Sequence, residues 1–177
     1  MQTPADITPL ISEDALKDRV HELAGEIAGK MSPDIMIVSL LRGSFVFTAD
    51  LIRALHLVGV RPQVDFMTLQ SYGSGMTSSG VIHITRDINE DVGGREVLIV
   101  DDILESGRTL TFARNLLVER GAKTIKIAVM LEKPNKRKVE IDADFVGFVI
   151  PDKFVVGYGL DYANYYRELP FIGVVEG

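Results

Sequence analysis

The stretch 97–109 constrains the fold of this chain more than any other, because a strand, an acidic pair and a helix start follow one another in it. Residues 97–100 form a continuous apolar run, which is typical of a strand buried on both faces. Asp101 and Asp102 come next, and the small polar stretch 105–109 leads into an amphipathic helix. Ligands of open α/β sheets bind beyond the carboxyl ends of the strands, where we expect both aspartates to emerge.

Strand-like and helix-like segments alternate along the rest of the chain, which predicts an α/β fold around a parallel sheet. Apolar residues at helical spacing predict helices over 12–31, 45–57 and 109–120. Further strands are predicted over 35–41, 64–69, 81–84, 125–131 and 145–150. The stretch 71–80 is mostly Gly, Ser, Thr and Met, which predicts a mobile loop. With 177 residues, we expect one domain with a core over about 12–150 and a small cap over 151–177.

Charge and composition exclude several classes of function. A net charge of −6 and a pI near 5.1 offer no basic surface, so nucleic acid is not expected as a partner. No apolar run is long enough to cross a bilayer, and residues 1–10 do not resemble a secretory signal, so we expect a cytoplasmic protein without membrane contact. The chain has no cysteine, which excludes disulfides and thiolate chemistry.

The residue types after strand 97–100 suit a sugar phosphate. Two adjacent carboxylates can accept hydrogen bonds from neighbouring ribose hydroxyls, or bind a magnesium ion. Backbone amides at a helix start, hydroxyls and a bare glycine, all present in 105–109, can surround a phosphate. Taken alone, Asp101 and Asp102 would suit a solvated turn better than a ligand site, and the residues that follow them reverse this preference. The chain lacks a Walker-type loop, and Gly157-Tyr158-Gly159 lacks the third glycine of a dinucleotide fingerprint.

The acidic pair followed by Ser-Gly-Arg-Thr resembles the phosphoribosyl pyrophosphate signature of the type I phosphoribosyltransferases, and the similarity extends over nearly the whole chain. It is closest to the hypoxanthine-guanine branch. The resemblance implies a parallel sheet flanked by helices, with a small hood formed by 151–177 and the N-terminus. It also implies transfer of the 5-phosphoribosyl group to a 6-oxopurine, with Mg²⁺ as cofactor, in a homodimer or homotetramer.

Site residues follow from the resemblance, position by position. Ribose and its 5-phosphate would be bound by Asp101, Asp102, Ser106, Gly107, Arg108 and Thr109. Pyrophosphate would be bound by Leu41, Arg42, Gly43, Ser71, Tyr72 and Arg167, with a cis peptide before Arg42 and with Ser71 and Tyr72 opening a flexible lid. The metal would be bound by Asp101, Asp102 and Asp161.

The purine site also follows from the resemblance. Lys133 would donate to the 6-oxo group, Phe154 would stack on the base, and Val155 would offer backbone contacts. Glu105 would handle the proton at N7 of the purine. The family commonly has aspartate at this position, so the carboxylate of Glu105 lies one methylene farther from its backbone.

Two other functions compete with this interpretation. A non-catalytic sensor that regulates genes could keep the same phosphate loop, but it would need a basic face or DNA-reading helices, which the composition does not indicate. A phosphate-accepting receiver domain also places acidic residues at strand ends. In this chain, however, the pair follows a late strand and leads into Ser-Gly-Arg-Thr.

Overall fold

A computed structural model describes residues 6–72 and 81–176, except for the side chain of Tyr72. Strands and helices alternate through most of this part. In chain order they are β1 (Asp6–Ile11), α1 (Glu13–Ala28), β2 (Met36–Leu41), α2 (Phe45–Leu57), β3 (Gln63–Tyr72), β4 (Val81–Arg86), β5 (Glu96–Leu104), α3 (Arg108–Glu119), β6 (Thr124–Glu132), β7 (Phe145–Val149), β8 (Val155–Val156) and β9 (Ile172–Glu176). A short 3-10 turn at Pro134–Lys136 follows β6.

The central sheet has six strands in the order β4-β3-β2-β5-β6-β7. All neighbouring pairs are parallel except β3 and β4, which pair antiparallel. The strand order changes direction between β2 and β5, with β3 and β4 beyond β2 on one side and β6 and β7 beyond β5 on the other. Open α/β sheets bind their ligands at such a point. The predicted α/β class with a central parallel sheet is confirmed.

Alternating side chains of the central strands divide between two apolar clusters. Ile37 and Leu98 pack with α1 and α2 on one face of the sheet. Val38 and Ile99 pack with α3 on the other face. Because both faces are covered, β2 and β5 read as continuous apolar runs, as the sequence predicted.

A second sheet, antiparallel and in the order β1-β9-β8, brings the two ends of the chain together. Asp6 pairs with Glu176 and Ile7 with Val175, so the first strand is held by the last. β8 pairs with the other side of β9. The N-terminal segment therefore belongs to the same sheet as the residues that follow the core.

Four strands, β3 to β6, are longer than predicted, and the extensions of β5 and β3 concern candidate site residues. β5 runs through Leu104 rather than ending at residue 100, because its parallel neighbour β6 continues pairing with it as far as Glu132. Asp101 and Asp102 therefore lie within the strand, and the expectation that they emerge beyond it is wrong. Ser71 and Tyr72 extend β3 because they pair with β4, so the prediction that they belong to a loop is wrong. The remainder of that loop, 73–80, lies outside the described residues.

The helix starts show how the local sequence ends one element and begins another. Ser12 caps α1 by accepting a hydrogen bond from the Ala15 amide at 3.2 Å. α3 begins at Arg108, one residue earlier than predicted, because Gly107 adopts a left-handed conformation with φ +80°. Gly107 and Thr109 at this helix start line a cavity at the carboxyl ends of β2 and β5.

Arg19 of α1 contacts β7, the strand at one edge of the central sheet. Its guanidinium donates to the Val146 carbonyl at 2.8 Å and to the Gly147 carbonyl at 3.0 Å. Glu22 and Glu26 pair with the same guanidinium. Arg19 thereby attaches the first helix to the last strand of the sheet.

Candidate active site

Two adjoining cavities lie at the carboxyl ends of the central strands. The first, of about 370 Å³, extends from these strand ends to the β8 region. The second, of about 310 Å³, lies between the β2 and β5 ends and the start of α3. Both cavities are lined by Leu41, Arg42, Gly43, Asp102, Ile103 and Glu105.

The turn after β2 approaches the Asp102 side chain closely. A Cβ atom built on Gly43 would lie 1.6 Å from Asp102 Oδ2, so only glycine leaves room for this carboxylate. The Leu41–Arg42 peptide bond before it is cis. Both features occur at the wall that the two cavities share.

Buried hydroxyl groups form a hydrogen-bonded network beside the turn after β2, and the sequence analysis did not select them. Ser44 Oγ donates to the Leu40 carbonyl at 2.5 Å, and Ser39 Oγ lies 2.8 Å from Ser44 Oγ and 2.7 Å from Thr48 Oγ1. Since each hydroxyl has one proton, the donors run in order from Thr48 to Ser39 to Ser44. A polar residue inside the apolar run 35–41 was the signal for this network.

The acidic pair is only partly open to solvent. Asp101 is 9% exposed, and its Oδ1 accepts a hydrogen bond from the Asp102 amide at 2.9 Å. Burial raises the pKa of Asp101 well above its ordinary value, and the neighbouring Asp102 carboxylate raises it further. Asp102 Oδ1 accepts from the Ile103 amide at 2.8 Å, and its Oδ2 faces Gly43.

The 105–109 loop forms one wall of the second cavity. Ser106, Gly107 and Thr109 line it. From behind, the Lys138 amide donates to the Ser106 carbonyl at 2.9 Å, and a Cβ on Gly107 would lie 2.5 Å from Ile141 Cγ2. A phosphate in this cavity would therefore meet hydroxyls and the amino end of α3, the arrangement that binds anions.

Glu105 and Lys133 form an ion pair in the first cavity. Lys133 Nζ lies 2.5 Å from Glu105 Oε1, and the Lys133 amide donates to the Leu104 carbonyl at 2.9 Å. Lys133 is 6% exposed, whereas the Glu105 side chain is 44% exposed. The ammonium is thus held in place, while the carboxylate remains accessible to a ligand.

Residues around β8 close the first cavity on its far side. Phe154 is 55% exposed and stands edge-to-face against Tyr162, with 5.7 Å between ring centroids. Arg167 donates to the Gly159 carbonyl at 2.6 Å and pairs with Asp161 at 2.8 Å. The lining residues here are Phe154, Val155, Leu160, Asp161 and Arg167.

Comparison with known proteins assigns this architecture to a family. The family model for the phosphoribosyl transferase domain matches residues 11–163. The chain belongs to the phosphoribosyltransferase family. This phosphoribosyltransferase is 47% identical over 169 residues to the hypoxanthine phosphoribosyltransferase of Escherichia coli strain K12, with 94% of this chain and 93% of that protein covered. It is 48% identical over 172 residues to the protein of the same name from Buchnera aphidicola, with 96% of each covered.

A solved structure supports the same assignment. The hypoxanthine-guanine phosphoribosyltransferase of Bacillus anthracis, crystallised with a HEPES molecule in its active site, superimposes with a TM-score of 0.90. It is 40% identical to this chain, and the match covers 97% of this chain and 100% of that one. The type I phosphoribosyltransferase fold implied by the sequence motif is therefore confirmed.

The described part of this phosphoribosyltransferase brings most, but not all, of the predicted residues together. Ser71 is exposed and Arg108 is exposed, and neither lines the two cavities. The Tyr72 side chain lies outside the described residues. Three residues at the end of β3, which the sequence analysis did not select, line the first cavity: Thr68, Leu69 and Gln70. Thr68, a polar residue late in the predicted strand 64–69, was the only signal, because Leu69 is apolar and Gln70 lies beyond that strand.

Metal ligands are sparse in this phosphoribosyltransferase. Within 6–72 and 81–176, no three His, Asp or Glu side chains are grouped closely enough to hold a metal ion by themselves. Asp102 and Asp161 nevertheless line the same cavity. Two carboxylates suit Mg²⁺, which is usually held by one or two of them together with substrate phosphates and water.

No helix in the described part of the chain has the length and apolar composition that crossing a membrane requires.

Replacing Asp101 with Asn is expected to stabilise the unliganded protein at neutral pH. Because the pKa of Asp101 is higher in the folded than in the unfolded state, the folded state binds more protons, and wild-type stability falls as pH rises between the two pKa values. Within that window, the variant should gain about 1.4 kcal/mol per pH unit over wild type. Urea unfolding from pH 4 to 8 in chelator measures this. The same change at exposed Asp142 is the control, and equal stability of wild type and Asp101→Asn across the range would contradict the prediction.

Proposed function

We propose that this chain is a hypoxanthine phosphoribosyltransferase of purine salvage. It transfers the 5-phosphoribosyl group from phosphoribosyl pyrophosphate to hypoxanthine, and to guanine, and yields IMP or GMP with pyrophosphate. The observation that carries the proposal is the shared wall of the two cavities. A site suited to a sugar phosphate there adjoins a buried ammonium paired with a carboxylate.

The second cavity is assigned to the sugar and its 5-phosphate. Ser106, Gly107 and Thr109 supply hydroxyls and helix-start amides for the phosphate, while Arg108 contributes through its backbone. Asp102, at the shared wall, accepts from the ribose hydroxyls, and Asp101 supports it from within the strand. This assignment follows the charges, because a carboxylate pair attracts hydroxyls and repels a phosphate.

The first cavity is assigned to the purine. Lys133 donates to the 6-oxo group, Glu105 accepts the N7 proton, Phe154 stacks on the ring and Val155 contributes backbone contacts. The 2.5 Å contact between Lys133 Nζ and Glu105 Oε1 supports this assignment of the purine. O6 and N7 lie on one edge of a 6-oxopurine and require a donor and an acceptor side by side.

Pyrophosphate is assigned to the turn 41–43, to Arg167, and to Ser71 and Tyr72 at the end of β3, which lead into the proposed lid. Arg167 and the turn both line the first cavity. The guanidinium of Arg167 already pairs with Asp161, so an incoming pyrophosphate would share this cation. Mg²⁺ held by Asp102 and Asp161, with Asp101 adjacent, would neutralise charge on the leaving group.

The proposed reaction breaks one bond and forms another at C1 of ribose. The bond from C1 to the pyrophosphate oxygen breaks, and the purine N9 lone pair forms the new bond from the opposite face. The N7 proton passes to Glu105. Arg167 and the amides of the 41–43 turn stabilise the charge that develops on pyrophosphate, and fixed donors of this kind usually contribute most to the rate.

Lys133 tests the proposed function, because its ammonium can donate to a 6-oxo group but cannot accept from the 6-amino group of adenine. Wild type should convert hypoxanthine and guanine and leave adenine unreacted. Lys133→Ala should lower kcat/KM for hypoxanthine about ten- to a hundredfold, the effect of losing a hydrogen bond to a charged group. The KM for phosphoribosyl pyrophosphate should stay nearly constant. Pyrophosphate release, with the second substrate saturating, measures both.

Lys136 provides a matched control for this experiment. It lies three residues away, its side chain is 46% exposed, and it pairs with Asp152. Lys136→Ala should leave both KM values within about twofold of wild type, the usual range for a surface ion pair. Preference for adenine by wild type, or loss of sugar affinity alone in Lys133→Ala, would overturn the assignment of the base site.

The remaining proposals concern organisation and location. We place the chain in the cytoplasm as a single phosphoribosyltransferase domain, working as a homodimer or homotetramer. An apolar groove beside α1 and α2, lined in part by the exposed side chains of Phe45 and Leu57, supports association of copies.

A further inference from the structure

Arg137 lies behind the candidate active site and contacts four acceptors from three segments. Its Nη1 donates to the Glu105 carbonyl at 2.8 Å and to the Leu104 carbonyl at 3.2 Å. Its Nε donates to the Ile141 carbonyl at 3.1 Å, and its Nη2 pairs with the Glu132 carboxylate. The side chains of Arg137 and Glu132 are 20% and 18% exposed, so this contact is largely shielded from water.

The position of these acceptors gives Arg137 its significance. Leu104 and Glu132 are the last paired residues of β5 and β6. Beyond them the two segments leave the sheet, and the next residues are Glu105 and Lys133. The guanidinium therefore joins the two segments immediately where regular strand pairing stops holding them together.

We propose that Arg137 is a positioning residue for purine binding, which fixes the backbone of Glu105 relative to Lys133. This inference rests on the proposed function and deepens it. Glu105 has a longer side chain than aspartate and is 44% exposed, so its carboxylate depends on a fixed backbone to reach the ammonium and the base edge. Arg137 touches neither cavity among the described residues and acts only through Glu105 and the end of β6.

Only arginine suits this position. Its planar fork presents five donors in fixed directions, whereas a lysine ammonium is a single point on a flexible chain. Lysine at 137 can replace one contact but cannot span the carbonyls of Glu105 and Ile141 and the carboxylate of Glu132 together. Arg137→Lys keeps the positive charge but loses the fork geometry of the guanidinium, so it separates the two effects. It also retains more of the packing than Arg137→Ala, and it serves as the second variant if Arg137→Ala folds poorly.

The test compares both Arg137 variants with Arg120→Ala. Arg120, the residue after the end of α3, makes two contacts with Asp87, at 2.7 and 2.6 Å, and its side chain is 32% exposed. It therefore reports the effect of losing a two-bond arginine pair away from the site. For each variant, kcat and KM are measured for hypoxanthine and for phosphoribosyl pyrophosphate, together with the urea midpoint.

Arg137→Ala and Arg137→Lys should lower kcat/KM for hypoxanthine roughly five- to twentyfold, as expected for a displaced catalytic group, with KM for phosphoribosyl pyrophosphate within about twofold. Arg120→Ala should shift only the urea midpoint. Unchanged hypoxanthine kinetics in both Arg137 variants, or an equal rise of KM for both substrates, overturns the positioning role. Absence of IMP formation by wild type instead overturns the proposed function, and the positioning role with it.

Discussion

Glu105→Gln is expected to lower kcat with hypoxanthine about 10²- to 10⁴-fold, the usual contribution of a general acid or base, while phosphoribosyl pyrophosphate still binds. The amide of Gln keeps the size of the side chain but cannot accept the N7 proton. It also cannot form an ion pair with Lys133, whose ammonium lies 2.5 Å from the carboxylate. Steady-state turnover and calorimetric binding of phosphoribosyl pyrophosphate in magnesium buffer measure the two effects separately.

Glu105→Asp is the matched variant, because it keeps the carboxylate and withdraws it by one methylene. We expect it to retain most of the turnover that Glu105→Gln loses, since the family commonly functions with aspartate here. A pre-steady-state burst would show whether product release limits kcat in wild type. If chemistry is limiting and Glu105→Gln still turns over within a few-fold of wild type, Glu105 does not handle the proton.

Asp102→Ala is expected to weaken phosphoribosyl pyrophosphate binding at least about a hundredfold. The reason is that two charge-assisted hydrogen bonds to ribose would be lost, at a combined cost of about 3 kcal/mol or more. The carboxylate is placed for this role, because its Oδ1 is fixed by the Ile103 amide and its Oδ2 faces the Gly43 turn. Purine binding should change little, since Asp102 is assigned no contact with the base. Calorimetric titration of each ligand in magnesium buffer is the measurement.

Two controls make the Asp102 result specific. Asp102→Asn keeps the shape and one acceptor, so its affinity should fall between those of wild type and Asp102→Ala. Asp142→Ala removes an exposed aspartate outside the cavities and should bind as wild type does. If Asp102→Ala binds phosphoribosyl pyrophosphate like wild type, the acidic pair has no role in holding the sugar.

The sequence predicted the fold class and the order of the core elements from α1 to β7, but not β1, β8 and β9, because apolar period and turn residues are local properties. Helix α2 matches its predicted span of 45–57. The end of β5 was missed because strand length depends on the neighbouring strand, and β6 continues to Glu132. No pattern within 97–109 contains that information.

The site could be predicted only where a motif marked it. Glu105 and Lys133 were selected separately, and the structure adds that their side chains pair across two neighbouring strands. Arg137 was missed because it follows a short irregular turn and binds backbone carbonyls, which carry no side-chain signature. Ser39 was missed for another reason: its hydroxyl is buried in an apolar run, and its partners Ser44 and Thr48 lie beyond that run.

The contacts of Arg19 with β7 affect the tendency of this protein to aggregate. β7 is an edge strand, and exposed edges are templates on which strands of other molecules add and aggregation begins. The guanidinium occupies two carbonyls of this strand, and Glu22 and Glu26 place negative charge beside it. An incoming strand would have to displace a charged, hydrogen-bonded group before it could pair. The first helix thus hinders the addition of a strand at the β7 edge of the sheet.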